Sequence, residues 1–483
     1  NNMAVTVIEQ APIVLSNPQP VGQDFIFVVS NSTAVANEKR VKFIAQIHVS
    51  DTTPPNPNTT THLKGTFKTT PNNAGVGMFN VRNIIENYVK ADNMAAEDSE
   101  YKGVVTDAQN PHPLHLIDDY SKGDNIARWL QVRFSVEYLD ADTSSSSFNK
   151  VVEDITTRED SNLLQYFNAY LKYTDKLFKV GNNFSFDISP YWLFDNSKKF
   201  LSNAPTEQYA NIDDYGTLGF IPNVLGTGQI DKIYMLVEDN TGAGVVSLFS
   251  IFNAANGATS VTSSFINTKL LYVGCFPGNL QNRGDASFQA AIANGSIYGG
   301  KIKVVARDSG GNDISQTYTI NINCRDKLGY EPIRLCWLNQ WGAWDYYTFT
   351  KKSTKTISTQ GSTYTQLEGT WNESYYRTDT FKGGKKSFRV NATEKIKINT
   401  DFVSEIDNVM FEELTNSPEV YILEGFQDDP GGVGGTGTGL LNNYVTPVRL
   451  LTTSLTKKTL GNDKLIQYTF EVEKTKTLRT QSI

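Results

Sequence analysis

Cysteine, histidine and long apolar runs are what this sequence has least of, and each scarcity removes a class of function. Three cysteines, Cys275, Cys324 and Cys336, cannot all pair within one chain and have no close CxxC spacing. Neither a disulfide scaffold nor a zinc site is expected from them, although Cys324 and Cys336 flank a module boundary closely enough to approach each other. The four histidines, His48, His62, His112 and His115, all fall in the first quarter of the chain. The one close pair, His112-Pro113-Leu114-His115, has no third ligand beside it and reads as a surface loop. No apolar run approaches the roughly 20 residues of a membrane span. The opening NNMAVTVIEQAP has neither the basic nor the apolar region of a signal peptide, so cytosolic synthesis is expected. Basic excess is missing too. Against 51 Asp and Glu stand 44 Lys and Arg, and the net charge of −7 argues against general nucleic-acid binding.

Catalytic signatures are equally sparse. There is no GxSxG elbow, HExxH pair, Walker lysine or EF-hand loop. Gly432-Val433-Gly434-Gly435-Thr436-Gly437 matches GxGxxG in form, but it follows Asp428-Asp429-Pro430 rather than a strand and reads as a flexible loop. The pairs Asp118-Asp119, Asp213-Asp214 and Glu412-Glu413 leave a glycosidase open, since that chemistry needs only two converging carboxylates. Adjacent carboxylates on a strand, however, point to opposite sides. No catalytic residue, cofactor or metal is assigned.

What the chain does have is aromatic and β-forming residues: 23 Tyr and 26 Phe, with Thr, Ser and Asn in abundance. Apolar residues alternate along Val41, Phe43, Ala45, Ile47 and Val49, and again along Leu130, Val132, Phe134, Val136 and Tyr138, with Gln131, Arg133, Ser135 and Glu137 outward. The expected fold class is mainly β: several β-sandwich modules of immunoglobulin-like size with a few short helices. Three modules suit 483 residues. They are a β-sandwich over 1–145, a second β-rich module over 146–325 with a helical insertion near Phe148–Tyr173, and a C-terminal β-rich module over 326–483. Helices are expected at Asn80–Val89 and, capped by Thr400, at Asp401–Leu414.

The third module opens on the densest stretch of the chain, Arg334–Phe349 (RLCWLNQWGAWDYYTF), which reads as a hairpin turning at Asn339-Gln340-Trp341-Gly342. Trp337, Trp341, Trp344 and Tyr346 within it, and Trp371 beyond it, are the candidate interface or ligand-stacking residues, core packing being the alternative use of such rings.

Several motifs recur in one order: Lys199–Pro205 (KFLSNAP), Ile314-Ser315 with Cys324, Leu335–Tyr346 (LCWLNQWGAWDY), Glu413–Ile422 (ELTNSPEVYI), Thr446-Pro447-Val448 and Asn462–Tyr468 (NDKLIQY). In that order they resemble the β-rich virion structural proteins of tailed phages infecting Bacteroidetes, crAss-like phages among them. The resemblance covers Phe200–Ile483. It implies a non-enzymatic neck or tail ring subunit, or a fibre adaptor, residing in the virion after synthesis in the host cytoplasm. The implied partners are other copies of the chain and portal, neck, tail or fibre proteins, with no membrane and no sequence-specific nucleic acid. A receptor- or glycan-binding tail protein using Trp341, Trp344 and Trp371 is the alternative.

Overall fold

The alternating stretches become the central strands of a six-stranded sheet. Val41, Phe43, Ala45, Ile47 and Val49 share one face of strand Lys39–Ser50, and Leu130, Val132, Phe134 and Val136 lie opposite them on its antiparallel neighbour Ala127–Leu139. A three-stranded sheet of Thr6–Ala11, Ile26–Ser30 and Val76–Asn80 contributes Phe27, Val29 and Phe79 to the same core. Its rings interlock with the first set, Phe134 lying 5.6 Å from Phe27 and 5.8 Å from Phe79. Each such side chain, fully withdrawn from water, contributes about 2 kcal/mol before chain entropy is counted.

The computed structural model describes the chain except for residues 1–3, 13–17, 52, 92–114, 116–119, 124, 173–177, 181–182, 222–229, 243, 252–269, 282, 325–328, 425–444, 460–465 and 477–483. The chain divides into two compact units, one mainly of Asn1–Asn323 with Leu338–Asp345, the other of Cys324–Trp337, Tyr346–Gly425 and Asn442–Ile483. The fold is mainly β, with several antiparallel sheets and few, short helices. No described helix is long and apolar enough to cross a membrane.

Within the first unit the helix expected near 148–173 is replaced by strands Val151–Asp160 and Leu164–Phe167, both paired to Ala127–Leu139. Leu164 and Phe167 do not form a helical face; they sit on a strand buried on both sides, where alternation disappears and a short apolar run imitates a helix. Ser144–Ser147 is part of the loop joining two neighbouring strands of one sheet. A second correction concerns Arg133, Ser135 and Glu137, expected outward but buried. Arg133 makes a two-pronged ion pair with Asp160 (2.6 and 2.8 Å) and donates to Pro57 O and Asn58 Oδ1, so the loop over 53–61 folds back across that face. A five-stranded sheet, ordered Glu207–Ala210, Tyr318–Ile322, Lys301–Asp308, Ile230–Glu238 and Val245–Ile251, completes this unit with three-stranded and two-stranded companions. Helix Ala286–Asn294 lies beside it, its N-terminus capped by Asp285, which accepts from Phe288 N.

In the second unit one seven-stranded sheet runs in the order Trp344–Phe349, Ile333–Leu338, Val420–Leu423, Val445–Leu450, Thr469–Lys474, Gly384–Asn399 and Thr354–Gln366. Helix Asp407–Asn416 begins six residues later than expected and lays Phe411 on Tyr347, Tyr468 and Phe470 at 5.1 to 5.5 Å. Phe402 and Ile406, within the range expected to be helical, precede the helix and are exposed, and Val403 is held in an extended bridge to Ile466. The expected helix at 80–89 is present as Arg82–Ile85 followed by a 3-10 turn, Glu86–Tyr88.

Candidate functional site

Four of the five aromatic candidates are core. Trp337, Trp341, Trp344 and Tyr346 are 0, 3, 1 and 4% exposed. At the hairpin tip Gly342 takes φ +76°, and a Cβ there would stand 2.3 Å from Asn168 O, so the turn tolerates only glycine. Asn339 ties the tip together by accepting from the backbone N–H of Trp341 and of Ala343, while its own amide donates to Leu201 O. Tyr191 and Phe186 pack on Trp341, at 4.2 and 5.7 Å, and His115 meets Trp344 edge-on at 4.7 Å. Ser202 Oγ donates to Asp345 Oδ1. Rings held this way are out of a ligand's reach.

Trp371 is different. It is 67% exposed and sits at the end of a ribbon formed by Thr354–Gln366 and Gly384–Asn399, paired through 13 residue partners from Thr354↔Lys397 to Gln366↔Gly384. Only the base of the ribbon, Lys395–Asn399, pairs with the rest of the sheet, through Thr469–Lys474. Beyond it, among the described residues, the two strands form a ladder only with each other, over roughly 30 Å at the usual rise per residue. The sequence explains the projection: Thr354–Gln366 (TKTISTQGSTYTQ) has no apolar side to bury and is exposed along nearly its whole length. A bulge between Ser362 and Thr363 leaves Phe388 as the extra residue opposite them, and it too is exposed.

The tip, 367–383, is built rather than loose. Thr370 N donates to Arg377 O, Arg377 N donates to Thr370 Oγ1, and that hydroxyl donates to Tyr375 O. Gly369, at φ +76°, leaves the space taken by the Tyr376 ring, which a Cβ would approach to 2.4 Å. Trp371 Nε1 donates to Glu368 O and its ring stands edge-on to Tyr376 at 6.1 Å. Arg377 and Lys382 converge on Asp379 at 3.4 and 3.0 Å, and the Lys382 hydrogen bond, helped by both cationic charges, holds that carboxyl below the usual carboxylate range. The outcome is an inverted surface: polar groups are spent inside the tip while Leu367, Trp371, Tyr375, Tyr376 and Phe381 face solvent at 59 to 72%. Four such rings alone expose on the order of 500 Å² of aromatic surface, comparable to the largest apolar patch of an ordinary monomer.

Sequence reasoning reached Trp371 and missed its neighbours Leu367, Tyr375, Tyr376 and Phe381. The signal was there: aromatic residues set between two stretches that lack any alternation of apolar and polar positions.

The other chemical candidates do not converge. Among the described residues no cluster of three His, Cys, Asp or Glu could hold a metal. All three cysteines are free, Cys275 and Cys336 buried and Cys324 exposed. Asp214 is buried and accepts from Asn211 N, whereas its neighbour Asp213 is exposed. Glu412 pairs with Lys457 at 2.7 Å while Glu413 is buried on the helix. His112, Asp118-Asp119 and the Gly432–Gly437 loop lie outside the described residues. No protein-family model matches the chain, and no curated protein matches it.

Proposed function

We propose that this chain is a structural subunit of a tailed bacteriophage particle, a neck or tail ring or fibre-adaptor subunit that works through packing between subunits and catalyses nothing. The observation that carries the reading is the ribbon, a projecting element whose interior is polar and whose tip offers rings to solvent. Such an element is costly to a free monomer and useful to one that will be covered. The ordered motifs from Lys199 to Tyr468 add the phage assignment, through their resemblance to virion proteins. The β-sandwich reading of the modules belongs with this proposal, as do the partners: further copies and neighbouring portal, neck, tail or fibre proteins.

Immuno-gold electron microscopy of purified particles, with antibodies raised against the chain, tests it. Label at the neck or along the tail is expected; no label on intact or opened particles would sink the assignment. The exposed Trp371, edge-on to Tyr376, favours one second reading, a tail protein that stacks sugar rings. Label confined to fibre tips, together with glycan binding lost in Trp371→Ala, would move the assignment there.

A further inference from the structure

Strands Thr6–Ala11 and Val151–Asp160 run beside one another without forming a ladder. They touch where Val5 N donates to Thr157 O at 2.8 Å and where Asn162 N donates to Gln10 Oε1 at 3.2 Å. Between these clasps lies a groove of about 460 Å³, walled by residues 4–10 on one side and by Glu159, Asp160 and Asn162 on the other. That volume is within the range of pockets that take up a ligand or an anchoring side chain. Asp160 is committed to Arg133, but Glu9 and Glu159 are exposed and have no ion pair among the described residues. Exposed Ile8 lies in the lining and exposed Ile155 on the groove's flanking strand. The groove is therefore largely polar, with unspent negative charge beside one exposed apolar side chain, Ile8.

The ribbon offers the converse. Residues 354–399 carry eight Lys and Arg against four Asp and Glu, while the rest of the chain carries 36 against 47. On the ribbon Lys385 and Arg389 are exposed and have no ion pair among the described residues, and they sit on the strand that returns from the aromatic tip. A basic arm on an otherwise acidic molecule is drawn to other copies of that molecule and repelled by other basic arms.

We infer that the ribbon of one copy seats in this groove of another, with Trp371 packing on the exposed Ile8 and Lys385 and Arg389 meeting Glu9 and Glu159. This rests on the assembly reading above and names its partner: a second copy of this chain. Arm and seat are different surfaces, so the contact is heterologous and propagates from copy to copy, closing as a ring when the rotation allows.

Charge exchange tests it on the purified full chain. Sedimentation velocity over roughly 1 to 100 µM spans the affinities of specific but reversible contacts. The wild type is expected to form larger species as concentration rises. Lys385→Glu with Arg389→Glu, or Glu9→Lys with Glu159→Lys, is expected to weaken association about tenfold or more, and all four changes in one chain to restore it. Trp371→Ser weakens association without recovery by any charge change. All these positions are exposed, and circular dichroism confirms that each variant folds. A wild type that stays monomeric throughout, or a four-residue exchange that fails to recover, overturns the inference. Assembly indifferent to every one of these changes overturns it too while leaving the structural-subunit reading intact; that reading falls separately, on absence of the chain from particles.

Discussion

Gly342 and His48 show how single residues are committed by what surrounds them. Gly342 combines a left-handed backbone with an approach to Asn168 O that leaves no room for a methyl group. Gly342→Ala is expected to destabilise the folded chain by about 2 kcal/mol or more, read as a lower denaturant midpoint with an unchanged slope. His48 is 1% exposed, and neither ring nitrogen has a hydrogen-bond partner among the described residues. Burial pushes its imidazole below the ordinary histidine range and the Arg133 charge adds to this, with His62 acting in the same sense and Asp160 against it. The folded state therefore binds fewer protons than the unfolded one. Its contribution to stability is full above the unfolded value near 6.5 and is lost as pH falls below that. His48→Leu is expected to flatten the fall in denaturant midpoint between pH 7 and the acid side. An equally steep fall in the variant would assign the pH dependence elsewhere. The left-handed turn at Gly342 was legible in the Asn339–Gly342 pattern, but its approach to Asn168 was not, and nor was the burial of His48, which the alternation along 41–49 placed on the outward face.

At the scale of elements, strands with one buried face were legible and elements without one were not. Lys39–Ser50 and Ala127–Leu139 carry their apolar residues at every second position, and the hairpin at Arg334–Phe349 announced itself by ring density. Leu164–Phe167 failed because burial on both faces erases the period, and the ribbon failed because burial on neither face does the same. The ribbon is also where an element can be removed cleanly. Replacing residues 367–383 by a two-residue Asn-Gly turn leaves the 13-partner ladder and the seven-stranded sheet in place and frees Lys386, whose Nζ donates to Phe381 O. The melting temperature of the shortened chain is expected to stay within about 2 °C of the original, as for surface changes generally. Its association is expected to be abolished. A large drop in melting temperature would make the tip part of the fold's own support. Asp285→Ala, by contrast, removes the cap of helix Ala286–Asn294 and is expected to cost about 1 kcal/mol, measured by chemical denaturation.

The whole molecule sets large, well-filled cores against one element that has no core at all. Its buried aromatic candidates are consumed in holding the chain together, so the surface available for recognition is what the fold leaves outside: the ribbon tip and the acidic groove beside Thr6–Ala11. Composition anticipated a mainly β chain with a net negative charge. It did not reveal that one arm carries a basic excess on an otherwise acidic molecule, because that requires knowing which two stretches pair. Hydroxyl-radical footprinting of Trp371, Tyr375, Tyr376 and Phe381, in the free chain and in purified particles, tests most directly whether this arm is made to be covered. Packing between subunits predicts that these four side chains react readily in the free chain and are protected in the particle. Equal reactivity in both states would contradict it.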